Sequence, residues 1–159
     1  MGLLSISAMI GLKALSGQIA FPFVLNLSLS MPSGVYRISP VSELQRGMLV
    51  LFRLPRGVRE PLAERAWLKD MPLLKPVAAL PGDAVCVNRR VTVNGQEFGE
   101  VSVSDSSGKP LSSVKGCYTV SRDMFLPLST HSKRSFDGRY FGEIRQYLIL
   151  GQARPVVTW

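Results

Sequence analysis

The feature that most constrains the fold of this chain is a series of short apolar runs, each about the length of a β-strand. Glycine, proline and polar residues separate them, and most show the alternation typical of strands. Asn94 and Gly95 between two runs indicate a tight turn. The sequence therefore predicts a mostly β domain. The runs are 48–52, 77–80, 84–87, 91–93, 101–103, 117–120, 124–128 and 147–153.

Two segments depart from the strand pattern. Residues 59–69 predict one soluble helix, with Pro61 near its first turn and Pro72 beyond its end. Residues 102–113 form a polar stretch with Gly108 and Pro110, which predicts a loop. At 159 residues the chain is expected to hold one folded domain.

The N-terminal segment, residues 2–29, is mostly apolar and has no acidic residue. It is long enough to cross a bilayer, which takes about 20 residues. A lysine at the centre of a span costs roughly 2.5 to 3.5 kcal/mol, so a shorter span from Ala14 to Leu29, with Lys13 at its edge, is the alternative. A cleaved signal peptide is the other alternative, but cleavage near Asn26 would separate the anchor from the first motif. We therefore predict an uncleaved transmembrane helix within residues 1–29, followed by a catalytic domain at 30–159.

Charge and composition argue against two classes of protein. The formal net charge is +8, but the basic residues are scattered and no aromatic-interleaved RNA-binding motif is present, so dedicated nucleic-acid binding is not expected. The chain has two cysteines and one histidine, His131, which do not form a zinc-ligand pattern. No metal or cofactor is predicted. His131 lies in a polar stretch without a motif, which disfavours a Ser-His-Asp triad.

Three separate blocks contain residues suited to nucleophilic catalysis. They are Asn-Leu-Ser-Leu-Ser-Met-Pro-Ser-Gly-Val-Tyr at 26–36, Lys-Pro-Val-Ala-Ala-Leu-Pro-Gly-Asp at 75–83 and Ser-Phe-Asp-Gly-Arg-Tyr-Phe-Gly at 135–142. In this order they resemble the membrane-bound serine/lysine peptidases of the signal peptidase I clan, and the first and third resemble its conjugal-transfer branch, the TraF-type peptidases. The resemblance implies a coiled antiparallel β domain with its active-site cleft near the membrane.

The first two blocks supply a nucleophile and a base. A serine hydroxyl attacks only when a base removes its proton, and a neutral lysine can do so. Lys75 precedes an apolar run, and burial would lower its pKa from about 10.4 to about 7 to 8, a change of roughly 3 to 5 kcal/mol. Ser30 precedes Met31 and Pro32, and Pro32 and Gly34 favour a rigid, exposed bend.

The resemblance assigns roles within these blocks. Ser30 matches the nucleophile and Lys75 the general base, while Ser28 matches the hydroxyl that forms the oxyanion hole with the Ser30 backbone N–H. Ser28 is the rival nucleophile from position alone. The Ser-Met-Pro spacing is one residue shorter than the Ser-Met-x-Pro of leader peptidases, which favours the conjugal branch.

The third block resembles the Ser-x-Asp-Ser-Arg motif of the family, with Gly138 in place of the second serine. The resemblance implies that Ser135 hydrogen-bonds and orients Lys75, and that Asp137 and Arg139 pair to brace the site. Asp137 is predicted to belong to the active site. Its role is open, because an aspartate close to Lys75 would raise the lysine pKa and oppose its use as a base.

The two cysteines, Cys86 and Cys117, lie in predicted strands. Outside the cytoplasm a disulfide between them would stabilise the domain by roughly 3 to 4 kcal/mol in the chain-entropy model. Two buried free thiols are the alternative.

The resemblance also implies a function. It predicts a peptidase of the bacterial inner membrane, with its catalytic domain on the periplasmic side and a pilin-like precursor protein as substrate. The acyl-enzyme could pass its acyl group to water or, with ring closure, to an amine of the same chain. The alternatives are a general signal peptidase that removes leader peptides, a self-cleaving repressor, and a non-catalytic basic membrane-anchored component of a secretion apparatus.

Overall fold

In the computed structural model, residues 22–58 and 71–159 are described, and they form a predominantly β structure. Residues 56–58 are helical. The helix predicted at 59–69 lies outside the described residues. The elements are β1 (Phe23–Asn26), β2 (Gly34–Ser39), β3 (Leu49–Phe52), β4 (Leu73–Ala79), β5 (Ala84–Val87), β6 (Arg90–Val93), β7 (Gln96–Glu100), β8 (Gly116–Thr119), β9 (Met124–Pro127), α1 (Gly138–Phe141), β10 (Ile144–Arg145), a 3₁₀ turn (Gln146–Leu148) and β11 (Ile149–Thr158).

The described strands form two antiparallel sheets. The larger has the order β1-β2-β11-β3-β4-β9-β10, and the smaller has the order β7-β6-β5-β8. Strand β11 pairs with both β2 and β3, and its register shifts between Pro155 and Val157 and again between Ile149 and Gly151. Such irregularities increase local twist, which fits a sheet that curls.

Alternating valines join the small sheet to the large one. Val85 and Val87 of β5, and Val91 and Val93 of β6, are buried, because side chains on one face of a strand recur every two residues. These valines pack against buried residues at the β4 and β9 end of the large sheet, including Leu126. The two sheets therefore share a core.

Strand β4 is an interior strand of the larger sheet, between β3 and β9. Its residues belong to three hydrophobic clusters: Leu74 packs with Tyr36, Val77 with Phe52, and Ala79 with the valines of the small sheet. A residue on β4 is consequently surrounded by protein on several sides. This strand includes Lys75.

Most of the predicted strand runs are confirmed, although their ends shift by a few residues. The run at 101–103 was wrong: the strand there is β7, which ends at Glu100, and Val103 is 83% exposed. The predicted turn at Asn94 and Gly95 joins β6 to β7, and both residues have positive φ angles, 49° and 81°.

The predicted boundary between anchor and domain needs correction. Residues Phe23–Asn26, assigned to the anchor, form β1 and pair with β2, so the β domain begins before Ser30. Residues 1–21, which contain most of the predicted transmembrane helix, lie outside the described residues. Among the residues that the structure describes, no helix has both the length and the apolar character that a bilayer crossing requires.

The strand ends near the first block approach each other closely. Gly34 pairs with Asn26 on one side and Thr158 on the other, and a Cβ atom there would collide with the Val157 carbonyl oxygen. Glycine is thus required at this position for β11 to lie against β2. This packing fixes where the segment between β1 and β2 leaves the sheet.

The turn after β4 is held by the end of the second block. Asp83 accepts hydrogen bonds from Leu80 N (2.7 Å), Asn94 Nδ2 (2.8 Å) and Arg46 Nε (2.9 Å). These interactions, led by the Arg46 hydrogen bond, lower the pKa of Asp83 to about 2. The Leu-Pro-Gly-Asp sequence therefore serves to close a turn and connect the two sheets.

Candidate active site

The first block forms the connection between β1 and β2. Its bend is braced from inside, because the buried Tyr36 donates its hydroxyl to the Pro32 carbonyl at 2.7 Å. Ser28 is exposed and Ser30 is half-buried, and their Oγ atoms lie 3.1 Å apart. The two candidate serines therefore lie together on this bend, with Ser30 less exposed than the sequence predicts.

Lys75 enters the interior on β4, opposite Val50 of β3, and is only 3% exposed. Burial lowers its pKa from 10.5 to about 8, with Asp137 acting to raise the pKa and Arg139 to lower it. A lysine with this pKa is partly neutral near neutral pH. The direction agrees with the shift expected from the apolar residues that follow it.

Asp137 and Arg139 form a buried ion pair whose charges act on Lys75. Asp137 Oδ1 accepts from Arg139 Nε at 2.8 Å and from Arg139 N at 3.2 Å, and neither side chain is more than 1% exposed. The remaining Arg139 nitrogens donate to the carbonyls of Glu100 (3.0 Å) and Ser129 (2.9 Å). The pair thus ties α1 to the small sheet and to the segment after β9.

The contacts of Asp137 bear on its uncertain role. Its carboxylate accepts three hydrogen bonds, two from Arg139 and one from Ser129 N at 3.0 Å. The positive charge of Arg139 offsets the field of Asp137 at Lys75, and the lysine pKa stays low. These are the contacts of a bracing residue, and they remove the conflict between an active-site aspartate and a neutral lysine.

Ser129 links the first block to the third and was not predicted from the sequence. Its hydroxyl donates to the Ser30 carbonyl at 2.6 Å, and its backbone N–H donates to Asp137. It is 1% exposed. The neighbouring Leu128 N–H donates to the Pro76 carbonyl, next to Lys75. No sequence motif identifies Ser129. Any residue can supply the backbone N–H that binds Asp137, and a single serine hydroxyl is too common to mark a site.

Two sequence-derived contacts are not made. Ser135 Oγ is buried, and among the described residues it has no hydrogen-bond partner, so the expected contact with Lys75 is not formed. Ser30 Oγ hydrogen-bonds to Ser28 and not to the Lys75 amine. Catalytic hydrogen bonds are often long without substrate and form in the complex. The His131 side chain is exposed, and its backbone N–H donates to Ser129 Oγ.

Steric crowding explains why position 138 is glycine. A Cβ atom on Gly138 would lie 2.6 Å from Leu126 Cδ1 and 2.8 Å from the Pro127 carbonyl oxygen. Strand β9 therefore leaves no room for the second serine of the Ser-x-Asp-Ser-Arg motif.

In the small sheet, Cys86 and Cys117 occupy paired positions on β5 and β8 and form a disulfide.

Comparison with known proteins identifies the family. Residues 3–159 match the family described as signal peptidase, peptidase S26. The chain belongs to this family, and the class of protein it defines is a peptidase.

Two curated relatives are named as transfer proteins. The conjugal transfer protein TraF of Agrobacterium fabrum is 33% identical over 149 residues, covering 85% of this chain and 82% of the relative. A plasmid transfer protein TraF of Escherichia coli is 34% identical over 147 residues with the same coverage. A solved signal peptidase I from Enterococcus faecalis is 23% identical, with a TM-score of 0.45, covering 70% of this chain and 97% of that chain.

Replacing Lys75 with methionine should separate catalysis from stability. We expect Lys75→Met to be inactive and at least as thermally stable as the parent at pH 7, because the buried ammonium group is removed. Between the folded pKa of about 8 and the unfolded value of about 10.4 the unfolded state binds more protons, so parental stability rises with pH there. The difference should therefore shrink as the pH approaches 10.

Thermal unfolding at several pH values measures this effect, and peptide cleavage by the parent should increase with pH through about 8. Lys133→Met, at an exposed lysine, is the matched control and should stay close to the parent in both assays. A strongly destabilised Lys75→Met, with parental cleavage independent of pH from 6 to 9, would show that Lys75 is a charged structural residue.

Proposed function

We propose that this protein is a serine endopeptidase that processes a pilin-like precursor for conjugal transfer, with Ser30 as nucleophile and Lys75 as general base. The observation that supports this most is the burial of Lys75 on β4, which lowers its pKa to about 8. Burying a lysine is unfavourable and has no evident structural benefit here. Active sites are where such shifts are expected.

The chemistry follows from the residues on the bend. Neutral Lys75 takes the Ser30 hydroxyl proton as Ser30 Oγ attacks the scissile carbonyl carbon. The oxyanion that forms accepts hydrogen bonds from the Ser30 backbone N–H and the Ser28 hydroxyl. Protonated Lys75 then returns the proton to the leaving amine, and the peptide C–N bond breaks to leave an ester on Ser30.

The ester has two fates. Water, deprotonated by Lys75, releases a free carboxylate and completes hydrolysis. If the N-terminal amine of the same precursor attacks instead, an amide forms and the product is a ring that is one water lighter than the trimmed chain. The conjugal transfer proteins among the relatives support a pilin-like precursor as substrate. Ser135 and Arg139 are proposed to support the site.

We further propose that residues before β1 anchor the protein in the inner membrane with the β domain in the periplasm. An apolar surface supports the attachment to a membrane: the side chains of Phe23, Leu25, Leu27 and Leu29 are 37 to 83% exposed along β1 and the adjoining bend. This surface lies between the apolar N-terminal sequence and the catalytic bend. The Cys86–Cys117 disulfide also suits an oxidising compartment.

Co-expression with a candidate pilin precursor tests the catalytic proposal. We expect the parent to yield a shortened pilin, Ser30→Ala to yield none, and Ser28→Ala to reduce processing by about 10- to 1000-fold, the scale of one lost oxyanion donor. Mass spectrometry of the pilin measures each outcome, and loss of one water reports ring closure.

Ser33→Ala, in the same bend, is the matched control and should process normally. Full processing by Ser30→Ala with none by Ser28→Ala would move the nucleophile to Ser28. Processing that is unchanged in both variants and in Lys75→Met would contradict the Ser/Lys mechanism. Equal processing of unrelated exported precursors would instead favour a general signal peptidase.

Protease treatment of spheroplasts tests the orientation. Protease added outside should degrade the β domain without membrane lysis, while a cytoplasmic marker protein stays intact. If the domain is cut only after lysis, it faces the cytoplasm and the proposed orientation is wrong.

A further inference from the structure

Asn26, the last residue of β1, is buried to 8% exposure directly beneath the catalytic bend. Its amide makes contacts on both sides. Nδ2 donates to the carbonyls of Pro32 at 3.0 Å and Met31 at 3.2 Å, and Oδ1 lies 2.7 Å from Ser28 Oγ and 3.2 Å from Ser28 N. One side chain thus contacts both halves of the bend that carries Ser30.

The chemistry of these partners fixes the orientation of the amide. The carbonyls of Met31 and Pro32 can only accept, so the Asn26 NH₂ group must face them. The backbone N–H of Ser28 can only donate, so Asn26 Oδ1 must face Ser28. In a reversed amide, the NH₂ group would face the Ser28 N–H and the amide oxygen would face the two carbonyls, so neither contact could be a hydrogen bond. The two carbonyls therefore hold Asn26 Oδ1 against Ser28.

The position of the hydroxyl protons follows from this orientation. Asn26 Oδ1 carries no proton, so the 2.7 Å contact uses the single hydroxyl proton of Ser28. The 3.1 Å contact between Ser28 Oγ and Ser30 Oγ must then use the proton of Ser30. In the resting protein the Ser30 hydroxyl proton therefore points toward Ser28.

We propose that Asn26 is a positioning residue that acts through Ser28. It holds the Ser28 backbone and hydroxyl in place, so that when substrate binds the hydroxyl turns from Asn26 Oδ1 to the developing oxyanion and the Ser30 proton is released toward Lys75. The side-chain hydrogen bonds of Asn26 join it to Ser28, Met31 and Pro32, and not to Ser30 Oγ. This inference rests on the proposed Ser30 and Ser28 chemistry and adds a residue to it.

A double-mutant cycle tests this role, with the full-length protein in detergent and an internally quenched peptide that spans the cleavage site of the candidate pilin precursor. Asn26→Ala should lower kcat by about 10- to 100-fold with KM within about threefold of the parent, because the oxyanion donor is misplaced. In a Ser28→Ala background, Asn26→Ala should cause less than about a threefold further loss, because the group it positions is already absent.

Asn94→Gly is the matched control. Asn94 is another turn asparagine whose side chain bonds Ala84 N and Asp83, and glycine keeps its positive φ accessible. It should lower the melting temperature about as much as Asn26→Ala while kcat is unchanged. If Asn26→Ala does not fold, Asn26→Ser, which is too short to bridge the bend, replaces it with the same expected kinetics.

Three results would overturn the inference: an unchanged kcat in Asn26→Ala, a rise in KM alone, or losses that multiply in the double mutant. A parent that cleaves no peptide would instead contradict the proposed function, and hydrogen exchange then decides the inference separately. The Ser28 amide should be protected in the parent and exchange at least about tenfold faster in Asn26→Ala. An equal exchange rate would show that Asn26 does not hold Ser28.

Discussion

The buried ion pair between Asp137 and Arg139 is the interaction on which the rest of the site depends. Three separate segments converge on it: the end of β7 through Glu100, the residues after β9 through Ser129, and α1 itself. Removing one partner of such a pair leaves an uncompensated buried charge, typically at a loss of about 3 to 5 kcal/mol. The pair therefore fixes the position of Ser129, and through Ser129 that of the Ser30 backbone.

The same pair permits a lysine with a low pKa. A buried aspartate near Lys75 without a partner would favour the charged amine. A buried arginine without a partner would repel the charged amine. Together they form a rigid, nearly neutral neighbour, so desolvation on β4 determines the direction of the lysine pKa shift. A shift from 10.5 to about 8 corresponds to about 3 kcal/mol in favour of the neutral amine.

The sequence predicted features that depend on local pattern. Alternating valines in β5 and β6, the turn at Asn94 and the buried environment of Lys75 all follow from neighbouring residues. The candidate site residues were identified from the resemblance of the three blocks to the signal peptidase I clan. What it could not predict are contacts between distant segments, such as the Ser129 hydroxyl on the Ser30 carbonyl, which joins residues 99 positions apart. The predicted anchor was extended through β1 because this strand is apolar and exposed on one face, like the sequence that precedes it.

The most direct test of the account is the pKa of Lys75 itself. Lysine labelled with ¹³C at Cε gives one NMR signal per side chain, and the signal that disappears in Lys75→Met is that of Lys75. Following this signal from pH 6 to 11 in the Ser30→Ala protein measures the pKa without turnover. We predict a midpoint near 8, because Lys75 is desolvated and the charge of Asp137 is offset by Arg139. A midpoint above 10 would show a charged lysine and contradict the Ser/Lys mechanism.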